Sequence, residues 1–153
     1  MNKDIPLVTL VRYEAISRRI KILGFAISLG LIIIYGAGLF VGQSNVNKDM
    51  AILNLISIIV CPLICISSVY IRKARLKSVN NENFANTYFG VYIVAFAMCD
   101  MGALFCIVTN LFINYNFIYA TFGLLVSLLY IWLNFPRRTD MDIINSRSKL
   151  IPE

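Results

Sequence analysis

One carboxylate and four thiols are the side chains here whose types and positions point most directly to chemistry. Asp100 is the only charged residue in the long apolar stretch 88–113 and falls near its middle. An ionised carboxylate at the centre of a bilayer costs at least ~2.5–3.5 kcal/mol, and no lysine, arginine or histidine lies at a similar depth to pair with it. Hydrocarbon therefore favours the protonated form. A carboxyl that gains and loses its proton with its surroundings is how membrane proteins handle H⁺ or Na⁺. Kept neutral, it is instead hydrogen-bonding glue between helices. Asn54, Ser57 and Ser127 are the polar groups expected to complete an ion site around Asp100. The thiols form a second candidate centre. Cys61-Pro62-x-x-Cys65, Cys99 and Cys106 all stand at middle depth, where thiolates select soft metals such as Cu(I) or Zn and Met98 and Met101 would add thioethers. Cysteine is also a small residue that packs easily, and disulfides are not expected inside a membrane.

The same inventory argues against catalysis. Histidine, the commonest general base and metal ligand, is absent. No nucleophile–base pairing and no phosphate-cradling glycine loop can be recognised. An enzyme is not expected, nor a cofactor.

The elements that must carry these residues are set by hydropathy. Of 153 residues, 59% are apolar and 14% charged, against ~45–50% and ~25% in soluble domains. With a mean hydropathy of +0.75, too little polar surface is present to coat a water-soluble globule. Four apolar stretches, 22–41, 50–71, 88–113 and 117–135, are separated by polar breaks. Each is near or above the ~20 residues a helix needs to cross ~30 Å of hydrocarbon. Strands of this length would leave unpaired edges in lipid. The expected fold is all-α: a four-helix transmembrane bundle of two hairpins spanning 22–135. Residues 1–21 precede it, with an interfacial amphipathic helix carrying Val8, Val11, Ile16 and Ile20 among charged positions. A tail, 136–153, follows it. Pro136 ends the last span, Thr139 and Asp142 are candidate caps of a short tail helix, and the chain from Asp140 onward is expected to be solvated. A cleaved signal peptide does not fit, because about twenty charged or amphipathic residues come before the first stretch.

With four spans, 13 of the 14 lysines and arginines lie on one side. The positive-inside rule then places both termini and the 72–86 loop in the cytoplasm. Arg18, Arg19, Lys21, Arg72, Lys73, Arg75, Lys77, Arg137 and Arg138 crowd the span ends, where anionic lipid headgroups lie. Lipid thus accounts for the net charge of +6 without nucleic acid. Stripes of small and polar residues at helical spacing mark where helices approach closely: Gly24, Ser28, Tyr35, Gly38 and Gly42; Asn54, Ser57, Cys61, Cys65 and Ser68; Ala95, Cys99, Gly102, Cys106 and Thr109; Ala120, Gly123, Ser127, Tyr130 and Asn134. Asp100 lies about 100° around its helix from Cys99, at the flank of that seam. Pro62, near the middle of its stretch, frees the carbonyl of Ile58.

The run Ala95-Phe-Ala-Met-Cys-Asp100-Met-Gly-Ala103-Leu-Phe-Cys-Ile-Val108 resembles the carboxylate helix of the proteolipid (c) subunits of rotary ATPases, and a basic loop precedes it as in their hairpin. The resemblance implies that Asp100 carries H⁺ or Na⁺ within a ring. It covers about fourteen residues; dense glycine repeats are missing from the second stretch, and the first and fourth stretches are extra. The segment from Asp100 to Arg138 also resembles small inner-membrane proteins of bacteria, which implies a bacterial cytoplasmic membrane. Two main functions stay open: a structural or assembly component, as a homo-oligomer or within a larger membrane complex, and an ion-coupled transport component built on Asp100. Soft-metal binding through Cys61 and Cys65 is a third.

Overall fold

The computed structural model describes residues 7–41, 51–79, 84–140 and 144. Among them the architecture is all-helical: α1 (Leu7–Val41), α2 (Ala51–Leu76), α3 (Phe84–Ile107, continued by π-helical Val108–Ile113) and α4 (Phe117–Leu133). Three helical stretches, Arg12–Val41, Ile52–Leu76 and Phe84–Ile113, are long and apolar enough to cross a membrane. α4 is as apolar but has 17 residues, about 25 Å at 1.5 Å per residue.

α4 ends two residues before the expected boundary at 135 for a local reason. Asn134 closes the helix through its N–H to the carbonyls of Tyr130 and Ile131, and Pro136, two residues on, has no N–H with which to continue it. Its start is equally local: the Asn116 side chain accepts from the N–H of Tyr119, a standard N-cap. Between α3 and α4, Thr109 and Asn110 turn their side chains onto carbonyls of the preceding turn, Thr109 to Phe105 at 2.7 Å and Asn110 to Cys106 at 2.7 Å. Such side-chain competition for backbone acceptors suits the wider π-helical geometry seen there.

α1 departs from expectation at its N-terminal end. The amphipathic segment is no separate interfacial helix; it runs unbroken into the apolar stretch as one 35-residue helix. Tyr13, Ser17, Ile20, Gly24, Leu31 and Gly38 are all buried and recur at helical spacing, so one stripe serves the whole length. Its first turns pack on the end of the bundle: the Tyr13 hydroxyl donates to the Arg137 carbonyl at 2.8 Å, and its ring lies 5.7 Å from that of Tyr88.

α2, α3 and α4 pack on one another, and α1 covers α3 and α4. Glycines set the closest approaches. A Cβ on Gly123 would overlap the Cys106 side chain, and one on Gly24 would overlap the Phe135 ring. Gly38 seats Leu111 and Phe112; its expected companion Gly42 lies outside the described residues. Large apolar side chains cover the outer faces, among them Phe25 and Ile33 on α1, Leu63 on α2, Met101 on α3 and Trp132 on α4. A surface this apolar belongs against lipid.

Gly123→Ala should destabilise the bundle by about 1–3 kcal/mol through overpacking against Cys106. Gly36→Ala, where a Cβ meets nothing within 4 Å, should be neutral or slightly stabilising. Thermal unfolding of the two variants in detergent checks the contrast; equal melting would mean that α3 and α4 are not in this close contact.

Candidate functional site

The small and polar stripes of α2, α3 and α4 meet in a single seam. At one end Asn114 Nδ2 donates to Asn54 Oδ1 at 2.7 Å. One turn further in, Asn110 Nδ2 donates to Ser57 Oγ at 2.7 Å. Then come the thiols and Ser127, whose hydroxyl lies 3.6 Å from Cys61 Sγ and 3.5 Å from Cys65 Sγ. Next, Asn134 Nδ2 donates to Ser68 Oγ at 2.8 Å, and Cys99 Sγ lies 3.3 Å from the same hydroxyl. Asn110, fully buried in the π-helical segment, was outside the expected set; an asparagine in an otherwise apolar run was the signal available for it.

All four cysteines are fully buried free thiols. They follow one another along the seam: Cys61 and Cys65 share Ser127, Cys99 lies beside Ser68, and Cys106 is 3.5 Å from the Tyr119 carbonyl. Among the described residues no group of three or more histidine, cysteine or acidic side chains could hold a metal ion. Met101 points away from the thiols, 66% exposed on the outer face.

The structure separates Asp100 from the groups expected to complete an ion site. Asn54, Ser57 and Ser127 are buried in the seam with the partners given above. Asp100 stands on the flank of α3, between buried Cys99 and exposed Met101, and is itself partly exposed. It makes no hydrogen bond or ion pair with any described residue. α1 covers the adjoining part of this flank, with Gly24 at the level of Phe96 and Gly38 at that of Leu111. The register thus brings Ser28 level with Asp100, but the Ser28 hydroxyl donates to the carbonyl of Gly24 at 2.8 Å.

At the basic end of the seam lies a cluster that the hydropathy pattern did not show. Arg72 and Asp140, expected respectively at lipid headgroups and in a solvated tail, are 4% and 3% exposed. Arg72 Nη1 donates to the carbonyls of Asn134 and Phe135, both at 3.3 Å, and lies 3.9 Å from Asp140 Oδ2. A cation from α2 thus caps the C-terminus of α4, where the helix dipole is negative. The guanidinium also sits 5.7 Å from the centre of the Tyr92 ring. Asp140 accepts from the Tyr92 hydroxyl at 2.5 Å and from the Arg137 N–H at 2.7 Å. That second bond starts a short helical turn from within, in the role expected of Asp142, which lies outside the described residues. Ile144, four residues on in the sequence, is buried as well. The other expected headgroup residues, Arg18, Arg19, Lys21, Lys73, Arg75, Lys77, Arg137 and Arg138, are exposed.

Searches for similar proteins return no matching family model, no matching curated protein and no matching solved structure.

Removing one member of a buried ion pair leaves the other charged and unpaired, which costs about 3–5 kcal/mol. Arg72→Met should therefore destabilise the protein strongly, and Arg72→Met with Asp140→Leu should recover most of the loss. A double-mutant cycle with both single variants, measured by unfolding in detergent, checks this; a double-variant loss equal to the sum of the two single losses would show that the pair is not coupled.

Proposed function

We propose that the protein is a non-catalytic, multi-pass component of a membrane assembly. It crosses four times, with both termini in the cytoplasm of a bacterial cell, and meets anionic lipid through its exposed lysines and arginines. The observation that carries this reading is where the chemistry-bearing side chains stand. The thiols, hydroxyls and amide groups of the seam are buried between the helices, whereas Asp100 stands on one flank of α3 and most of the cations are exposed at one end. Groups spent on holding helices together fit a structural component. Groups left facing outward fit a surface that meets lipid or another protein. α4, though short, crosses in this arrangement because its first half and its C-terminal end are held by spanning partners, Gly123 against Cys106 of α3 and Asn134 against Ser68 of α2.

A second reading, an ion-coupled component in the manner implied by the proteolipid resemblance, is favoured by Asp100 alone, an unpaired carboxyl at middle depth. Asn54, Ser57 and Ser127 do not join it.

Topology and native size test the first reading. A reporter at Arg138 and one in the 77–79 segment should be active only in the cytoplasm, and a cysteine placed at Asn116 should be labelled only from outside. An outward-facing tail would overturn the four crossings. Extracted from its own membranes in mild detergent, the chain should run in a species larger than the 17.3 kDa monomer with its detergent belt. A monomer there would overturn the assembly role while leaving the crossings intact.

A further inference from the structure

Asp100 poses an unsolved problem within one copy of the chain. Its side chain is too short to reach either membrane surface from the middle of a 30-residue span. Neutral, it still carries a hydroxyl donor and two acceptor oxygens, and hydrocarbon offers a partner to none of them. The seam cannot serve it, because α3 turns Cys99 and Ala103 inward and holds Asp100 on the flank. α1 does not serve it either: the hydroxyl at the matching level donates to the Gly24 carbonyl, and no hydrogen bond joins it to Asp100.

We infer that the Asp100 face of α3 is the interface between two copies of this chain, held by a hydrogen-bonded pair of Asp100 carboxyl groups across a two-fold axis. The inference rests on the proposed assembly role and names the partner at the unpaired carboxyl. Self-complementary hydrogen bonding, not ion pairing, points to a second copy. The spans hold no lysine, arginine or histidine that Asp100 could meet at this depth, and the face around it is uncharged. A two-fold contact sets each residue near the axis against its own copy, and a protonated carboxyl is one of the few side chains that complements itself, donating and accepting at once. The surrounding surface suits a close helix crossing. Ala97 is exposed one turn before Asp100, and a Cβ on Gly90, two turns further, would meet nothing within 4 Å, so the α3 backbone is approachable on this side. Ile93 and Met101, 41% and 66% exposed, supply apolar contact on either side of the carboxyl.

The full-length chain, purified alone and placed in lipid nanodiscs or liposomes at low protein-to-lipid ratio, tests this through its oligomeric state and a proximity readout. Wild type should be dimeric. Asp100→Leu should weaken dimerisation about tenfold or more, since each interhelical hydrogen bond in a membrane contributes roughly 0.6–1.7 kcal/mol and two are lost. Asp100→Asn, whose amide also donates and accepts, should stay dimeric and controls for folding. Ala97→Cys should form an interchain disulfide under a mild oxidant, whereas Ile59→Cys on the exposed face of α2 should not. A monomeric wild type, an unchanged Asp100→Leu dimer, or crosslinking at Ile59 in place of Ala97 would each overturn the interface. A wild type monomeric when pure but large in native extracts would overturn only this inference and would leave the assembly role standing, with a different protein as partner.

Discussion

A buried polar group in hydrocarbon has no water to fall back on, and nearly every packing feature of this bundle answers to that constraint. The seam between α2, α3 and α4 is a ladder of short donor–acceptor contacts, from Asn54 with Asn114 at one end to Arg72 with Asp140 at the other. Each rung links two helices. The ladder therefore sets their register as well as their contact. The apolar side chains contribute little to that choice, since lipid is as hospitable to them as a neighbouring helix.

The two ends of the ladder are built from different materials. In the middle, thiols and hydroxyls lie against glycines, so the helices approach until Gly123 meets Cys106 and Gly102 meets the Cys61 carbonyl. At the basic end the rungs are charged. There Arg72 binds the last carbonyls of α4, Tyr92 and the Arg137 N–H hold Asp140, and Tyr13 of α1 reaches the Arg137 carbonyl. One cluster thereby ties all four helices and the start of the tail together. It lies at the end of the bundle where the chain's exposed cations gather.

Asp100 stands outside this network, on the flank of α3 and partly exposed. The thiols that suggested metal chemistry follow one another along the seam beside Ser127, Ser68 and the Tyr119 carbonyl, with the compactness that a crowded three-helix contact requires.

Much of the architecture could be read from composition and order alone. Charge placement and stretches of twenty or more apolar residues dictate long helices, because only helices satisfy their own backbone in lipid; the small-residue stripes correctly named Gly24, Gly38, Ser57, Cys61, Cys99, Gly123, Ser127 and Asn134 as packing positions. The hydropathy boundary at 117 and Pro136 also located the ends of α4 to within two residues. Which side chains face one another was not legible, since periodicity gives the face of one helix and says nothing of the register between two. The sequence therefore singled out Asp100 as a lone acid but grouped it with Asn54, Ser57 and Ser127, which the packing turns elsewhere. It likewise assigned Arg72 to headgroups and Asp140 to solvent, because a charge near a span end is usually hydrated. Only the tertiary structure brings that arginine over the end of α4 and folds the tail back to meet it: residues 68 positions apart become partners through the crossing of three helices.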